Sequence, residues 1–123
     1  MADAQPRVLV IDDDAPTVEL LAELLSDEGY AVATARDVDS ALASTERSGA
    51  DVIILDLILA DQDGAAFVER YRARGGDAPI VLLSASREAP RRAVEFHAPL
   101  VPKPFDVGHL LEIVRGAIKR ARS

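Results

Sequence analysis

Apolar residues fall along this chain in short unbroken blocks, separated by longer stretches in which apolar and polar positions alternate at helical spacing. The unbroken blocks occupy residues 8–11, 52–55 and 80–83, with a weaker pair at Leu100 and Val101. Runs this short and rich in Val and Ile predict strands buried on both faces. A fifth segment, 30–34, reads Tyr-Ala-Val-Ala-Thr. Its alternation of large and small side chains predicts an edge strand. Between these blocks, Val18, Leu21 and Leu25 recur on one helical stripe with Leu20 and Leu24 beside it. That helix opens at Ala15-Pro16, where proline suits the first turn, and closes at Gly29. A last helix carries Val107, Leu110, Leu111, Val114 and Ile118, and ends in Lys119, Arg120 and Arg122, where the helix dipole is negative. Further helices are predicted over 38–47 and 64–73. Over 87–97, Pro90 and Pro99 crowd the pattern and predict a short or distorted fourth helix.

Strand and helix therefore alternate along the whole chain, which predicts an α/β fold. Its parallel sheet would be joined by right-handed crossovers, with helices on both faces in a doubly wound (βα)5 sandwich. No repeat or linker interrupts the pattern, so one domain is expected over 6–121, with residues 1–5 as a flexible N-terminus and 122–123 as a tail. A chain of 123 residues, 49% hydrophobic, is long enough to bury one core. Aromatics are only 4%, so Val, Ile, Leu and Ala must fill it.

Charge narrows the function. Asp and Glu number 21 against 14 Lys and Arg, a net charge of −7. Such a surface repels phosphate and argues against nucleic acid or an anionic membrane as a direct partner. A cation ligand or a basic partner is easier to accommodate. Cysteine is absent, which removes disulfides, thiolate metal sites and thiol nucleophiles together. The start has no basic region followed by an apolar stretch, and no apolar run approaches the roughly 20 residues that span a bilayer, so a cytoplasmic protein is expected.

In doubly wound sheets, ligands sit beyond the carboxyl ends of the strands, where strand order reverses. At those ends, Ile11 is followed by Asp12, Asp13 and Asp14; Leu55 by Asp56; Leu83 by Ser84; and Val101-Pro102 by Lys103-Pro104. Each residue alone has an ordinary reading, since Asp caps helices and Ser ends strands. Together they place carboxylates, a hydroxyl and an ammonium at one edge. Asp56 ends an apolar strand with no turn signal directly after it, and a carboxylate there needs a partner. Carboxylates from two strands repel unless a cation relieves them. With oxygen ligands only, Mg²⁺ is the natural occupant and Mn²⁺ would substitute. A carboxylate held beside Mg²⁺ and lysine can act as a nucleophile on phosphorus, with Lys103 balancing the transferred oxygens and Ser84 donating to one of them.

These residues resemble the receiver domain of two-component response regulators. The resemblance runs from about Arg7 to about Ala121 and rests on Val-Leu-Val-Ile-Asp12-Asp13-Asp14, Ile-Ile-Leu-Asp56, Asp63-Gly64, Leu-Leu-Ser84-Ala85 and Pro-Lys103-Pro104-Phe105. It implies a flavodoxin-like fold with strand order 2-1-3-4-5. Asp56 matches the phosphoacceptor, and Asp12 and Asp13 the acidic pair, of which Asp13 would ligate Mg²⁺ directly. The Ile58 backbone carbonyl matches a further ligand. Ser84 and Lys103 match the groups that contact the phosphoryl oxygens, and Ala85 the small residue that admits it. Lys103-Pro104 resembles the family's cis peptide. The partner implied is a histidine kinase or histidine phosphotransfer protein, and the role is a phosphoacceptor switch rather than an enzyme.

Three features depart from the family pattern: one strand residue, one interval and the loop after Asp56. Leu100 stands where an aromatic ring usually accompanies Ser84 as the switch pair. The interval from Ser84 to Lys103 is short, which again points to a reduced fourth helix and an atypical output face. Ala60 replaces a proline in the loop after Asp56, and Ile58 puts an apolar side chain where polar ones are common, so slow self-dephosphorylation is expected. His97 and His109 read as surface or capping residues, Asp14 as a helix cap, and Arg87, Arg91 and Arg92 as a solvated helix face. The chain ends about where its last helix ends, so a stand-alone receiver is expected, a monomer or weak dimer that acts by binding an unknown downstream protein. One alternative is an adaptor that no longer depends on phosphorylation. A flavin carrier of the same fold is disfavoured, because three aspartates would repel its phosphate.

Overall fold

The computed structural model describes residues 5–59 and 62–121. Expectations for Ala60, for the terminus before Gln5 and for the tail at 122–123 lie outside them. Strands β1 (Arg7–Ile11), β2 (Ala31–Ala35), β3 (Val52–Leu55), β4 (Ile80–Ser84) and β5 (Leu100–Pro102) alternate with helices α1 (Ala15–Asp27), α2 (Val38–Ser48), α3 (Ala65–Ala73), α4 (Ala89–Phe96) and α5 (Val107–Ala121). The strands are all parallel, in the order β2-β1-β3-β4-β5. This is the flavodoxin-like arrangement, and its strand order reverses between β1 and β3.

The strand period of two assigns every core residue to a layer. Val8 and Val10, Val52 and Ile54, Val81 and Leu83, and Val101 point to one side, where they meet Leu21 and Leu25 of α1 and Leu110 and Val114 of α5. Leu9 and Ile11, Ile53 and Leu55, and Ile80 and Leu82 point to the other, against α2, α3 and α4. Both faces of the central strands are buried, which is why they read as unbroken apolar runs.

Local chemistry sets the helix ends. Asp14 is extended and accepts from the Thr17 amide at 3.2 Å, and Asp37 accepts from Ser40 at 2.8 Å, so each caps a helix. The expected cap at Asp14 is therefore present. The edge strand lies one residue later than its pattern suggested, with Tyr30 outside it and packed against the α1/α5 layer. Leu20 is exposed rather than part of the core stripe, because it sits about 100° round the helix from Leu21.

Helix α4 is the shortest of the five, with eight residues. Pro90 falls in its first turn, where a missing amide costs nothing. At its end His97 adopts a left-handed conformation, with φ 54° and ψ 46°, and Pro99 follows. Proline thus limits the length of the helix without distorting it.

Candidate phosphoacceptor site

The reversal of strand order puts the ends of β1 and β3 side by side, with Ile11 in register with Leu55. Each strand releases a carboxylate at the next residue. Backbone bonds hold both positions, from Asp12 N–H to the Ala35 carbonyl at 3.1 Å and from Asp56 N–H to the Ile11 carbonyl at 2.9 Å. The two carboxylates converge on one ammonium. Lys103 Nζ lies 2.7 Å from Asp12 Oδ2 and 2.9 Å from Asp56 Oδ2. It is delivered by the turn after β5, where Lys103–Pro104 is cis. The other oxygens are bound by backbone, Asp12 Oδ1 by the Asp14 amide and Asp56 Oδ1 by the Ile58 amide, each at 3.0 Å. Both carboxylates are thus fixed at both oxygens.

Burial dominates the electrostatics. Asp12 is 2% exposed, and burial pushes its carboxyl above the ordinary value, against the lowering effect of the Lys103 hydrogen bond. For Lys103, burial works to lower the ammonium, but the bonds and charges of Asp12 and Asp56 outweigh it and the group is raised. The lysine therefore stays charged. Asp14 is lowered, first by the Thr17 hydroxyl, as befits an exposed cap.

The remaining predicted residues are placed less tightly. Ser84 ends β4 in a buried position, and its Oγ accepts from the Ser86 amide at 3.2 Å. Ala85 is exposed at the edge. Asp13 is half-buried, and among the described residues its carboxylate takes no hydrogen bond; its backbone carbonyl accepts from Arg36 Nη2 at 2.8 Å. Among those residues no three acidic side chains stand together as a metal-holding group. Of the expected set of Asp12, Asp13 and Asp56, the Lys103 ammonium pairs with Asp12 and Asp56. The donor chemistry nonetheless fits a hard cation. The set is all oxygen, and in Asp12 it contains a buried carboxyl that burial raises. Leu100 pairs with Leu82 and packs, half-buried, on the α4 side of the sheet, with no polar atom to exchange for Ser84.

Two residues matter for reasons their sequence pattern did not reveal. Gly64, in Asp63-Gly64, lies in the turn before α3 with φ −56°. A Cβ there would lie 2.5 Å from the Asp56 carbonyl oxygen and 2.8 Å from Leu57 Cα. It is needed for close approach to the backbone of the phosphoacceptor loop, not for a positive φ. Arg92, expected in solvent, bonds Glu95 at 3.0 Å, reaches Asp63 at 3.5 Å and lies over the Phe96 ring at 5.9 Å. Its distinguishing signal is burial, which the similarity of Arg87, Arg91 and Arg92 in sequence conceals.

Known proteins share this sequence pattern and fold. A model of the response regulator receiver domain matches residues 8–115. The probable transcriptional regulatory protein TcrX of Mycobacterium tuberculosis is 32% identical over 97% of this chain, and the transcriptional regulatory protein PrrA of the same organism is 35% identical over 96%. The chain spans about half the length of these relatives, 53% and 52% respectively. Among solved structures, the Vibrio cholerae chemotaxis protein CheY4 superposes with a TM-score of 0.84 at 30% identity, covering 93% of this chain and 99% of that one. The signal receiver domain of a putative Luxo repressor protein from Vibrio parahaemolyticus gives a TM-score of 0.89 at 25% identity, covering 97% and 94%. With matched family residues spanning every strand and helix, the chain belongs to the response regulator receiver domain family, the phosphoacceptor switches of two-component systems.

Proposed function

We propose that Asp56 accepts a phosphoryl group from a histidine kinase or histidine phosphotransfer protein in the cytoplasm, and that the phosphorylated chain signals by binding a partner. The reading is carried by the convergence of Asp12 and Asp56, from adjacent strands, on Lys103. A carboxylate oxygen of Asp56 attacks phosphorus, and the phosphorus–nitrogen bond of the donor breaks with its electron pair leaving on the imidazole nitrogen. Lys103 and Ser84 receive the phosphoryl oxygens, and Asp56 is held for in-line attack by the Ile58 amide. Receiver domains bind Mg²⁺ as a family trait; here Asp12, Asp13, Asp56 and the Ile58 carbonyl would hold it, with Mn²⁺ as a substitute, and it supplies charge neutralisation at phosphorus. The proposal concerns the receiver's own switch. Output through an attached second half belongs to the longer relatives, and output through a separate protein is the reading for a receiver that stands alone.

Intact mass after incubation with Mg²⁺ and acetyl phosphate tests it. One phosphoryl increment is expected, absent in Asp56→Asn. No increment with any donor would instead favour the phosphorylation-independent adaptor, the reading to which the apolar Leu100 lends weight. The acyl phosphate should be long-lived, because the Ile58 side chain, 58% exposed beside the site, offers nothing polar to orient an attacking water. Ile58→Asn is expected to shorten the lifetime, and an equal or longer lifetime would overturn that expectation.

A further inference from the structure

We propose that Arg92 is a positioning residue for the phosphoacceptor loop, and that through it α4, rather than a side chain of β5, reads the charge state of Asp56. The inference rests on the phosphoacceptor reading above. Ion-paired arginines elsewhere on this molecule are ordinary surface groups: the side chains of Arg70, Arg74, Arg91 and Arg115 are between 50% and 69% exposed. Pairs of that kind contribute little. Arg92 is 25% exposed, with one face on the Phe96 ring and its guanidinium shared between Glu95 of its own helix and Asp63 of the loop after β3. Among the described residues, the Arg92–Asp63 contact is the ion pair that crosses from α4 to that loop.

Asp63 is joined to Asp56 by short, stiff links. Its backbone forms an antiparallel bridge with Ile58, the residue whose amide binds Asp56 Oδ1. Its Oδ1 accepts from the Ala65 amide at 2.9 Å, and the next residue, Gly64, donates to the Leu57 carbonyl at 2.7 Å with no room for a side chain. The start of α4 is tied to the site independently. Ser84 Oγ accepts from the Ser86 amide at 3.2 Å, and Ser86 Oγ accepts from the Glu88 amide at 3.1 Å, directly before the helix. Leu57, Ile58, Asp63, Ser86 and Arg92 line one open cleft of about 440 Å³ between the loop and the helix.

Phosphorylation replaces the Asp56 carboxylate, of charge −1, with an acyl phosphate of charge roughly −1.5 to −2, set further out from the loop. A guanidinium shared between two exposed carboxylates is the nearby group free to respond, and an added anion on the loop side draws it away from Glu95. Helix α4, short and ended by His97 and Pro99, moves with its arginine. Leu100 has no polar group through which β5 could compete.

The test pairs intact mass with backbone amide NMR of the full chain, before and after acetyl phosphate and Mg²⁺. In the wild-type chain a phosphoryl increment is expected together with shifts at residues 89–96. Arg92→Gln should take up the phosphoryl group while its α4 shifts fall at least threefold. Asp63→Asn, which leaves α4 unaltered and keeps an acceptor for Ala65, should do the same, and Arg92→Lys should retain most of the response. A phosphorylated Arg92→Gln or Asp63→Asn chain with the full α4 response would overturn the proposal. No increment in the wild-type chain would overturn the phosphoacceptor reading and the coupling with it.

Discussion

At the ends of β1 and β3 the chain is held by backbone hydrogen bonds and burial, whereas α4 is tied to the site by serine hydroxyls and one half-buried arginine. Asp12 and Asp56 each continue the ladder for one residue beyond the strand, and Gly64 is pressed against the backbone of residues 56 and 57. Across the site, β5 has three residues and α4 has eight; serine hydroxyls, an exposed carboxylate and one arginine connect them to the loops. A site for phosphoryl transfer needs its nucleophile preorganised, and the β1/β3 half meets that need. An output element needs neighbouring states close in free energy, which is what loosely tied elements provide.

The contrast would break most severely at Gly64. In Gly64→Ala the new methyl group meets backbone atoms rather than a flexible side chain, so the loop bearing Asp56 must shift. A loss of about 3 kcal/mol is expected, at the upper end for overpacking. Urea unfolding measures it, and phosphoryl uptake by intact mass should fall as well. A variant with wild-type stability and uptake would mean the β1/β3 half is softer than its contacts suggest.

Lys103→Met removes the ammonium between two buried carboxylates while keeping most of the packing volume. Breaking a fully buried pair costs about 3–5 kcal/mol; with Lys103 21% exposed, about 2 kcal/mol is expected at neutral pH. The pH dependence has a definite sign. The Asp12 carboxyl is already raised in the folded chain, and losing its cation raises it further. A raised group gives stability that is complete below its unfolded value, here 3.8, and lost as pH rises through its folded value. The deficit of the variant should therefore be greatest near neutrality and shrink as the pH falls toward that value. A deficit independent of pH would show that the ammonium contributes packing alone.

The same contrast explains which features were legible in the sequence. Asp12, Asp56, Ser84 and Lys103 stand directly after apolar runs or one proline beyond, and a strand buried on both faces ends abruptly where its run ends. Their gathering at one edge followed from topology alone. How three consecutive aspartates divide their tasks was only partly legible. Asp14 announced itself as a cap before Ala15-Pro16, but that Asp12 pairs with Lys103 depends on where the lysine comes to lie. Gly64 was visible as a glycine but its need for close approach was not, because contact between loop and backbone is a tertiary fact. Arg92 was indistinguishable from Arg87 and Arg91 until Phe96 and Asp63 were placed around it.

His97→Gly probes the looser half with the smallest expected effect. His97 ends α4 with φ 54°, a left-handed conformation that a side chain makes costly and that glycine adopts freely. The bonds that close this helix, from the His97 amide to the Val94 carbonyl at 3.2 Å and from the Ala98 amide to the Ala93 carbonyl at 2.9 Å, remain available to glycine. The exposed imidazole makes no hydrogen bond or ion pair among the described residues. A gain of about 1 kcal/mol is expected in urea unfolding. Hydrogen exchange then decides where it acts. If α4 opens locally, its closing amides should gain about fivefold in protection while local openings of β1 and β3 stay unchanged. Equal gains at β1, β3 and α4 would mean that α4 opens only with the whole molecule, and the division into a rigid chemical half and a responsive half would fail.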